Sequence, residues 1–398
     1  MQVLILHQFF NTPERGGPLR SYYLSTALRH AGHSVHVITT HNQPECRQET
    51  VEGIDVHYLP VTYDNRYGFF RRIYSFLRFV IHIIGYASKF KNVSVCYAIS
   101  APLTTGLAAI VIKWRYGIPY VFEVGDLWPE APIQLGIVRN TLLKKILFRL
   151  EAAVYRRALS IVALSPAISE NICRRFPRLI VYQLPNMADT TYFEPGTDDS
   201  IKEKYGLQNR RVLSYIGTMG LANGLNFVLD CAEACQKKML PVTFVLCGEG
   251  AKKDNLRQAV SQRKLQNVLF LPFQNREGVR EVFRLTDIAL VCFQPLPILG
   301  TGSPNKYFDA LAAGKVIAVN FSGWIRDEIE QNACGFYAAS GDAFVYRLMP
   351  YLDDQVLRKS QAASRQLAFR YDRTALGKRF VELLESTVPD CNDKSRFS

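Results

Sequence analysis

The chain has no histidine after His82, no D-x-D motif, no G-x-G-x-x-G motif and no paired C-x-x-C spacing. Each absence removes a class of chemistry. The dinucleotide fingerprint is missing, and the second expected strand ends in V-I-T-T-H with no acid for an adenosine ribose, which disfavours a nicotinamide dehydrogenase. The nine cysteines (46, 96, 173, 231, 235, 247, 292, 334 and 391) are odd in number and lack zinc-type spacing. That argues against a zinc site or a disulfide framework and fits a reducing cytoplasm. No metal ligand set is expected. The opening M-Q-V-L-I-L-H enters a strand pattern with no basic n-region and no cleavage site, so no signal peptide is expected.

Acid is also missing locally. Between Asn65 and Phe122 there is no Asp or Glu, while Arg66, Arg71, Arg72, Arg78, Lys89, Lys91, Lys113 and Arg115 all fall there, within a chain of net charge +13. Interleaved with them is an apolar stripe at helical spacing: Phe69, Phe70, Ile73, Phe76, Leu77, Val80, Ile81 and Ile84. Two readings stand. Cations beside such a stripe suit a helix lying in an anionic membrane interface; equally, the stripe packs into the core and the arginines face water. Basic charge also suits nucleic acid, but the apolar stripe argues against that partner. The uncharged run Val93 to Ile112 has the length of a membrane span. Pro102 and Gly106 interrupt it, and it reads as a buried strand feeding a helix.

What the chain has is a repeated alternation of short β-branched or aromatic runs with helical patterns. The first series is V-L-I-L (3–6), V-H-V-I-T (35–39), I-D-V-H-Y-L (54–59), V-S-V-C-Y-A (93–98), Y-V-F-E-V (120–124) and S-I-V-A-L (160–164). The second runs through 212–217, 242–248, 268–273, 288–293 and 315–320. At 398 residues the chain exceeds one ordinary core. An α/β class with two doubly wound parallel sheets is therefore expected. The polar, turn-rich stretch from Pro185 to Gly206 marks the hinge. The expected division is a first domain over 1–188, a linker over 189–210, a second domain over 211–371, and a returning helix with a polar tail over 372–398.

Residues Gly300 to Gly314, G-T-G-S-P-N-K-Y-F-D-A-L-A-A-G, combine a phosphate-sized loop, a helix start and a positioned acid. Ser303 suits an N-cap and Pro304 the first helical position, so free backbone N–H groups face the loop. Lys306 adds a full charge there, Asp309 suits hydroxyls beside the anion, and Gly314 closes the helix. A phosphate next to a polyol describes a nucleotide diphosphate sugar. The same residues also describe an ordinary capped surface helix with a Lys-Asp pair.

The segment resembles the donor-site signature of glycosyltransferase family 4, a retaining family built of two facing Rossmann-like domains (the GT-B architecture) with the active site in the inter-domain cleft. Two glutamates usually stand eight positions apart in that family; here Thr301 and Asp309 occupy those places. The resemblance gives Asp309 the donor ribose, whereas Thr301 lacks the charge the first acid brings to the transferred sugar. It further implies that Gly302, Ser303 and Asn305 line the donor loop, and that Asn186, Asp189, Phe193 and Pro195 match the family's N-x-x-D-x-x-x-F-x-P segment. Gly16 and Gly17 resemble the first-domain glycine loop beside the donor diphosphate. Y-I-G-T-M-G-L-A-N-G-L (215–225) matches the second-domain loop through Gly217, Gly220 and Gly224, with Thr218 and Asn223 where cations are common. Lys306, helix dipoles, or Lys252 or Lys253 are left to hold the diphosphate. Gly248, Glu249 and Gly250 line the donor site in the same comparison, and Phe273 lies near the nucleobase.

In V-F-E-V-G-D-L-W-P-E (121–130), carboxylates end a strand beside Trp128. Buried acids next to an aromatic ring are where raised pKa values and proton transfer occur. Asp126, with Glu130 second, is the candidate acceptor-side group; the other reading is a turn cap beside a core Trp. The D-L-W-P-E and S-P-x-K runs resemble the branch that builds bacterial surface polysaccharides, including amino-deoxysugar transferases. The resemblance thus implies a UDP-sugar-type donor as co-substrate with no cofactor, Lys306, Asp126 and Glu130 as catalytic candidates, and a polyprenyl-diphosphate-linked saccharide acceptor of O-antigen or capsule type. It places the protein in the cytoplasm against an anionic inner membrane face, without nucleic acid.

Overall fold

The structure, a computed structural model, describes residues 1–388 except 65, 66, 91, 101 and 197. Arg66, Lys91 and the polar tail after Val388, all singled out above, lie outside the described residues. The chain divides into two units: one comprises Met1–Thr12, Pro18–Pro185 and the chain from Thr374, the other Pro13–Gly17 and Asn186–Arg373.

The strands of the first unit are β1 (Gln2–Leu6), β2 (Ser34–His41), β3 (Arg47–Val51), β4 (Ile54–Pro60), β5 (Val95–Ile99), β6 (Tyr120–Val124), β7 (Ile161–Ala163) and β8 (Val181–Gln183). They line up as β3-β4-β2-β1-β5-β6-β7-β8, parallel except where β3 pairs antiparallel with β4. The central strands β1, β5 and β6 are buried almost throughout, as expected when helices cover both faces of a parallel sheet. Two strands escaped the sequence reading. β3 is polar and largely exposed, with no alternation to reveal it; its partner is fixed by the tight turn at Glu52 and Gly53, both at positive φ. β8 is three residues long and only half-buried. From Thr374 on, the last helix, Arg373–Thr387, belongs to this unit: Phe380 meets the Tyr97 ring edge-on at 4.8 Å, and Glu385 pairs with His33 at 3.0 Å.

The second unit contains β9 (Arg211–Ile216), β10 (Val242–Cys247), β11 (Val268–Leu271), β12 (Ile288–Val291), β13 (Val316–Val319) and β14 (Gly335–Tyr337), in the all-parallel order β11-β10-β9-β12-β13-β14. β14, a three-residue edge strand, was also missed. Within the stretch expected as a linker, Phe193 is buried against Phe283, Asp199–Lys204 is a helix, and Lys202 pairs with buried Asp287 at 3.2 Å. In each sheet the strand order reverses beside the first strand, between β1 and β5 and between β9 and β12. Crevices at the carboxyl ends of those pairs are where an open α/β sheet takes its ligands.

Candidate active site

At the switch point of the second sheet, the loops leaving β9 and β10 lie against each other. The Gly217 amide donates to Cys247 O at 2.9 Å and the Met219 amide to Glu249 O at 2.8 Å. Both Gly217 and Gly248 sit near φ +140°, and a Cβ on Gly248 would stand 2.1 Å from the Gly217 carbonyl. Only glycine fits, which is why the two G-rich motifs occur at two adjacent strand ends.

The signature loop differs from expectation at one point. Pro304, not Ser303, is the N-cap, and the helix runs from Asn305 to Ala312. A residue before proline is pushed out of the helical region, and Ser303 is engaged elsewhere: its hydroxyl accepts the Asn186 amide N–H at 3.3 Å and its carbonyl accepts the Asn186 side chain. Among the described residues no side chain caps the helix, so its N-terminus suits an anion at the carboxyl edge of the sheet. Gly314 does end the helix, at φ +61°. The Thr301 hydroxyl donates to Ile298 O at 2.7 Å within its own turn, and the Gly302 carbonyl accepts the Trp324 indole N–H at 2.9 Å.

Lys306 and Asp309 set the electrostatics. Lys306 is half-buried, with its ammonium 3.8 Å from the centre of the Tyr215 ring. Burial pushes it down to about 7, opposed by the Cys292 thiol, and it makes no hydrogen bond among the described residues. Asp309, also half-buried, is pushed up to about 7, first by burial; Asp189 adds to the rise and Arg276 opposes it. Buried Asp189 in turn binds Arg276, and Arg373 at 3.2 Å, while the Arg276 guanidinium lies 3.7 Å over Tyr192. Arg276 was not picked out from the sequence. Its place at the start of the helix Arg276–Leu285, just after β11, is the signal that would have found it.

Other donor-side candidates are accounted for by the loops themselves. Asn223 accepts the Gly220 N–H at 3.2 Å and so shapes its own turn. Glu249 is exposed and held below its ordinary range chiefly by a hydrogen bond from Lys253, with help from the Phe273 backbone, so Lys253 is engaged there. Lys252 is exposed, as is the Phe273 ring, while Gly250 packs on the Met219 carbonyl. Gly16 and Gly17 both take positive φ, and Gly16 lies against the Asn275–Arg276 backbone, grouping with the second unit.

In the first unit, the buried carboxylate of the V-F-E-V-G-D segment is Glu123, contrary to the expectation for Asp126. Glu123 accepts from Arg20 Nε at 3.0 Å and from the Tyr97 hydroxyl, and Arg20 also holds the carbonyls of Leu184 and Pro185. That network is structural. Asp126 is exposed beyond the end of β6; surrounding protein raises its carboxyl above the ordinary range by desolvation, and contact with water limits the effect. It is its backbone carbonyl that accepts the Trp128 N–H, at 2.9 Å, so its side chain does not cap that turn. Glu130 begins the helix Glu130–Gln134 and accepts from Gln134 at 2.9 Å. The sequence reading also passed over His7, just after β1: half-buried, bonded to Ser21 at 2.8 Å and pushed down to about 4 by burial and then by Arg20, it is neutral at pH 7.

Residues 15–186 match the glycosyl transferase 4-like domain family and residues 197–366 the glycosyl transferases group 1 family, together most of the chain. The chain is 27% identical over 134 residues to WcaI of Escherichia coli (strain K12), a protein named for glycosyl transfer in colanic acid biosynthesis; the match takes in 33% of this chain and 32% of that one. The matches to curated relatives span only about a third of those relatives' length. Among solved structures, the sucrose-phosphate synthase of Thermosynechococcus elongatus is similar at TM-score 0.77 and 15% identity, over 97% of this chain and 98% of that one. Anabaena HepE in complex with UDP-glucose is similar at TM-score 0.71 and 16% identity, over 97% and 100%. At such identities the likeness shows the fold.

Proposed function

The chain belongs to glycosyltransferase family 4, and from that membership we propose that it is a retaining transferase moving a sugar from a nucleotide diphosphate to a lipid-linked saccharide at an anionic membrane face. The observation that carries the reading is a half-buried Lys306 with no hydrogen-bond partner among the described residues, beside the glycine loop of β9, one helical turn from a half-buried Asp309 and at a helix N-terminus that no described side chain caps. A cation and backbone N–H groups fixed in advance suit the charge that develops on a departing diphosphate. Asp309 suits the ribose hydroxyls. The UDP-glucose held by HepE favours a uridine donor, and the name of WcaI favours a polysaccharide acceptor.

In this reading the acceptor hydroxyl attacks on the face the diphosphate leaves, a donor phosphate oxygen takes the proton, and Asp126 orients the acceptor. Lys306 and the helix Asn305–Ala312 carry the leaving-group charge without a divalent ion. Incubation with a panel of nucleotide sugars, with and without a polyprenyl-diphosphate saccharide and in EDTA, tests it. Acceptor-dependent nucleotide release that survives chelation is expected. Release without acceptor would indicate a 2-epimerase, binding without release a non-enzymatic sugar-binding protein, and loss on chelation restored by magnesium would overturn the metal-free step.

A further inference from the structure

The helix Phe69–Tyr86 is apolar on both sides. Phe79 and Ile83 are wholly buried beneath it, whereas Tyr74, Leu77 and Ile81, spaced to share one face, are 64%, 46% and 69% exposed. The stripe is therefore divided: Val80 lies in the core, and Leu77 and Ile81 do not.

That outer face is part of a wider one. The connections β4 to β5, β5 to β6 and β6 to β7 all step the same way across the first sheet, so right-handed crossovers place their helices on one side. The helix Thr104–Tyr116 packs between Phe69–Tyr86 and Thr141–Arg157. It contributes Trp114, 82% exposed, and the third helix contributes exposed Leu142 and Ile146, one turn apart. These three helices carry ten Lys or Arg residues against one acid, Glu151, which is buried and bound to Arg175.

We infer that the outer face of these three helices docks on an anionic bilayer, with Tyr74, Leu77, Ile81 and Trp114 entering the headgroup region and the flanking cations holding lipid phosphates. Apolar side chains in water beside cations, with the sole carboxylate turned inward, match a surface that is apolar below and negative above. A second copy would bring ten like charges against ten, and a nucleic acid would leave the aromatic and aliphatic side chains without an apolar layer to enter. No helix among the described residues is long and apolar enough to cross a membrane. The inference rests on the proposed reaction only for what it brings within reach, a lipid-borne acceptor.

Vesicle sedimentation tests it, comparing phosphatidylcholine alone with phosphatidylcholine mixed with phosphatidylglycerol. Binding is expected on the mixed vesicles alone and is reversed by salt. Each cation near such a surface is worth about a fivefold change in binding, so Lys145→Glu with Arg149→Glu should weaken it at least about twentyfold. Ile81→Ser with Leu77→Ser should weaken it comparably, and brominated lipid should quench Trp114 fluorescence by an amount that vanishes in Trp114→Phe. Absence of binding to either vesicle, binding indifferent to these variants, or a dimer in solution broken by Ile81→Ser would overturn the inference. The charge-reversal pair is surface-exposed and keeps the test decisive if the apolar pair unfolds. UDP affinity by calorimetry, read on the same proteins, reports on the second unit's site alone and separates failure of docking from failure of the transferase reading.

Discussion

The ammonium of Lys306 occupies the space a side chain on Gly217 would need: a Cβ on that glycine would lie 3.1 Å from Nζ. The glycine of the β9 loop and the lysine of the signature helix are thus one device, 89 residues apart in sequence, in which the missing side chain is what admits the charge.

Gly217→Ala is expected to harm both stability and donor binding. The residue sits at φ +140°, where an L-side chain costs about 1–3 kcal/mol, and the new methyl would displace Lys306. Denaturant unfolding should show the loss, and calorimetry with UDP a drop in affinity of at least about tenfold. Unchanged affinity would separate the loop from the ligand.

Lys306→Met is expected to cut turnover by about 10²–10³, the effect of removing one fixed stabiliser of developing charge. It should also change stability in a pH-dependent way. The folded pKa, about 7, lies below the ordinary 10.5, so between those values the unfolded chain holds more protons and this group's contribution rises with pH. Urea midpoints at pH 7 and pH 9 should therefore differ less in the variant than in the parent, with the variant gaining most at the lower pH. A wild-type rate with the fold intact would remove Lys306 from the diphosphate site.

Asp309→Ala is expected mainly to weaken nucleotide binding. Its folded pKa of about 7 lies above the ordinary 3.8, so its contribution to stability is complete below 3.8 and is lost as pH rises through 7. If the ionised form receives the ribose hydroxyls, UDP affinity in the parent should rise as pH passes from 6 to 8 by more than in Asp309→Ala. Calorimetry across that range reads it, and an identical pH dependence in both proteins would reject the ribose role.

Asp126→Asn keeps shape and removes charge at an exposed position, so its folding midpoint should stay within about 0.5 kcal/mol of the parent. Acceptor-dependent transfer should fall while UDP affinity holds. Normal transfer would leave Asp126 without a part in the chemistry.

What was legible in the sequence was local. Hydrophobic runs located the buried strands, and the G-rich turns, Lys306 and Asp309 could be found because strand, loop and helix follow one another within a few residues. Contacts between distant residues were hidden. Nothing near Ser303 announces that Asn186 takes its hydroxyl, so the N-cap was placed one residue early. Nothing in V-F-E-V-G-D tells which acid meets Arg20, so burial was assigned to Asp126 although Glu123 has the partner. β3, β8 and β14 are too short or too polar to show a period, and a helix with apolar residues on its outer as well as its inner side cannot disclose which of them meet the core.

The pairing of Asn186 with Ser303 also governs how the protein can be cut. A fragment starting at residue 211, where the second series of strands begins, would leave behind Asn186, the Asp189 that binds Arg276 and Arg373, and Phe193 in the core. Arg365 would lose the Thr190 and Phe193 carbonyls it holds at 2.8 and 3.1 Å. The main segment of the second unit therefore starts at Asn186, and dissection, domain exchange or isotope-labelled fragments for spectroscopy should place the seam there and keep Pro13–Gly17, which belongs to the same unit.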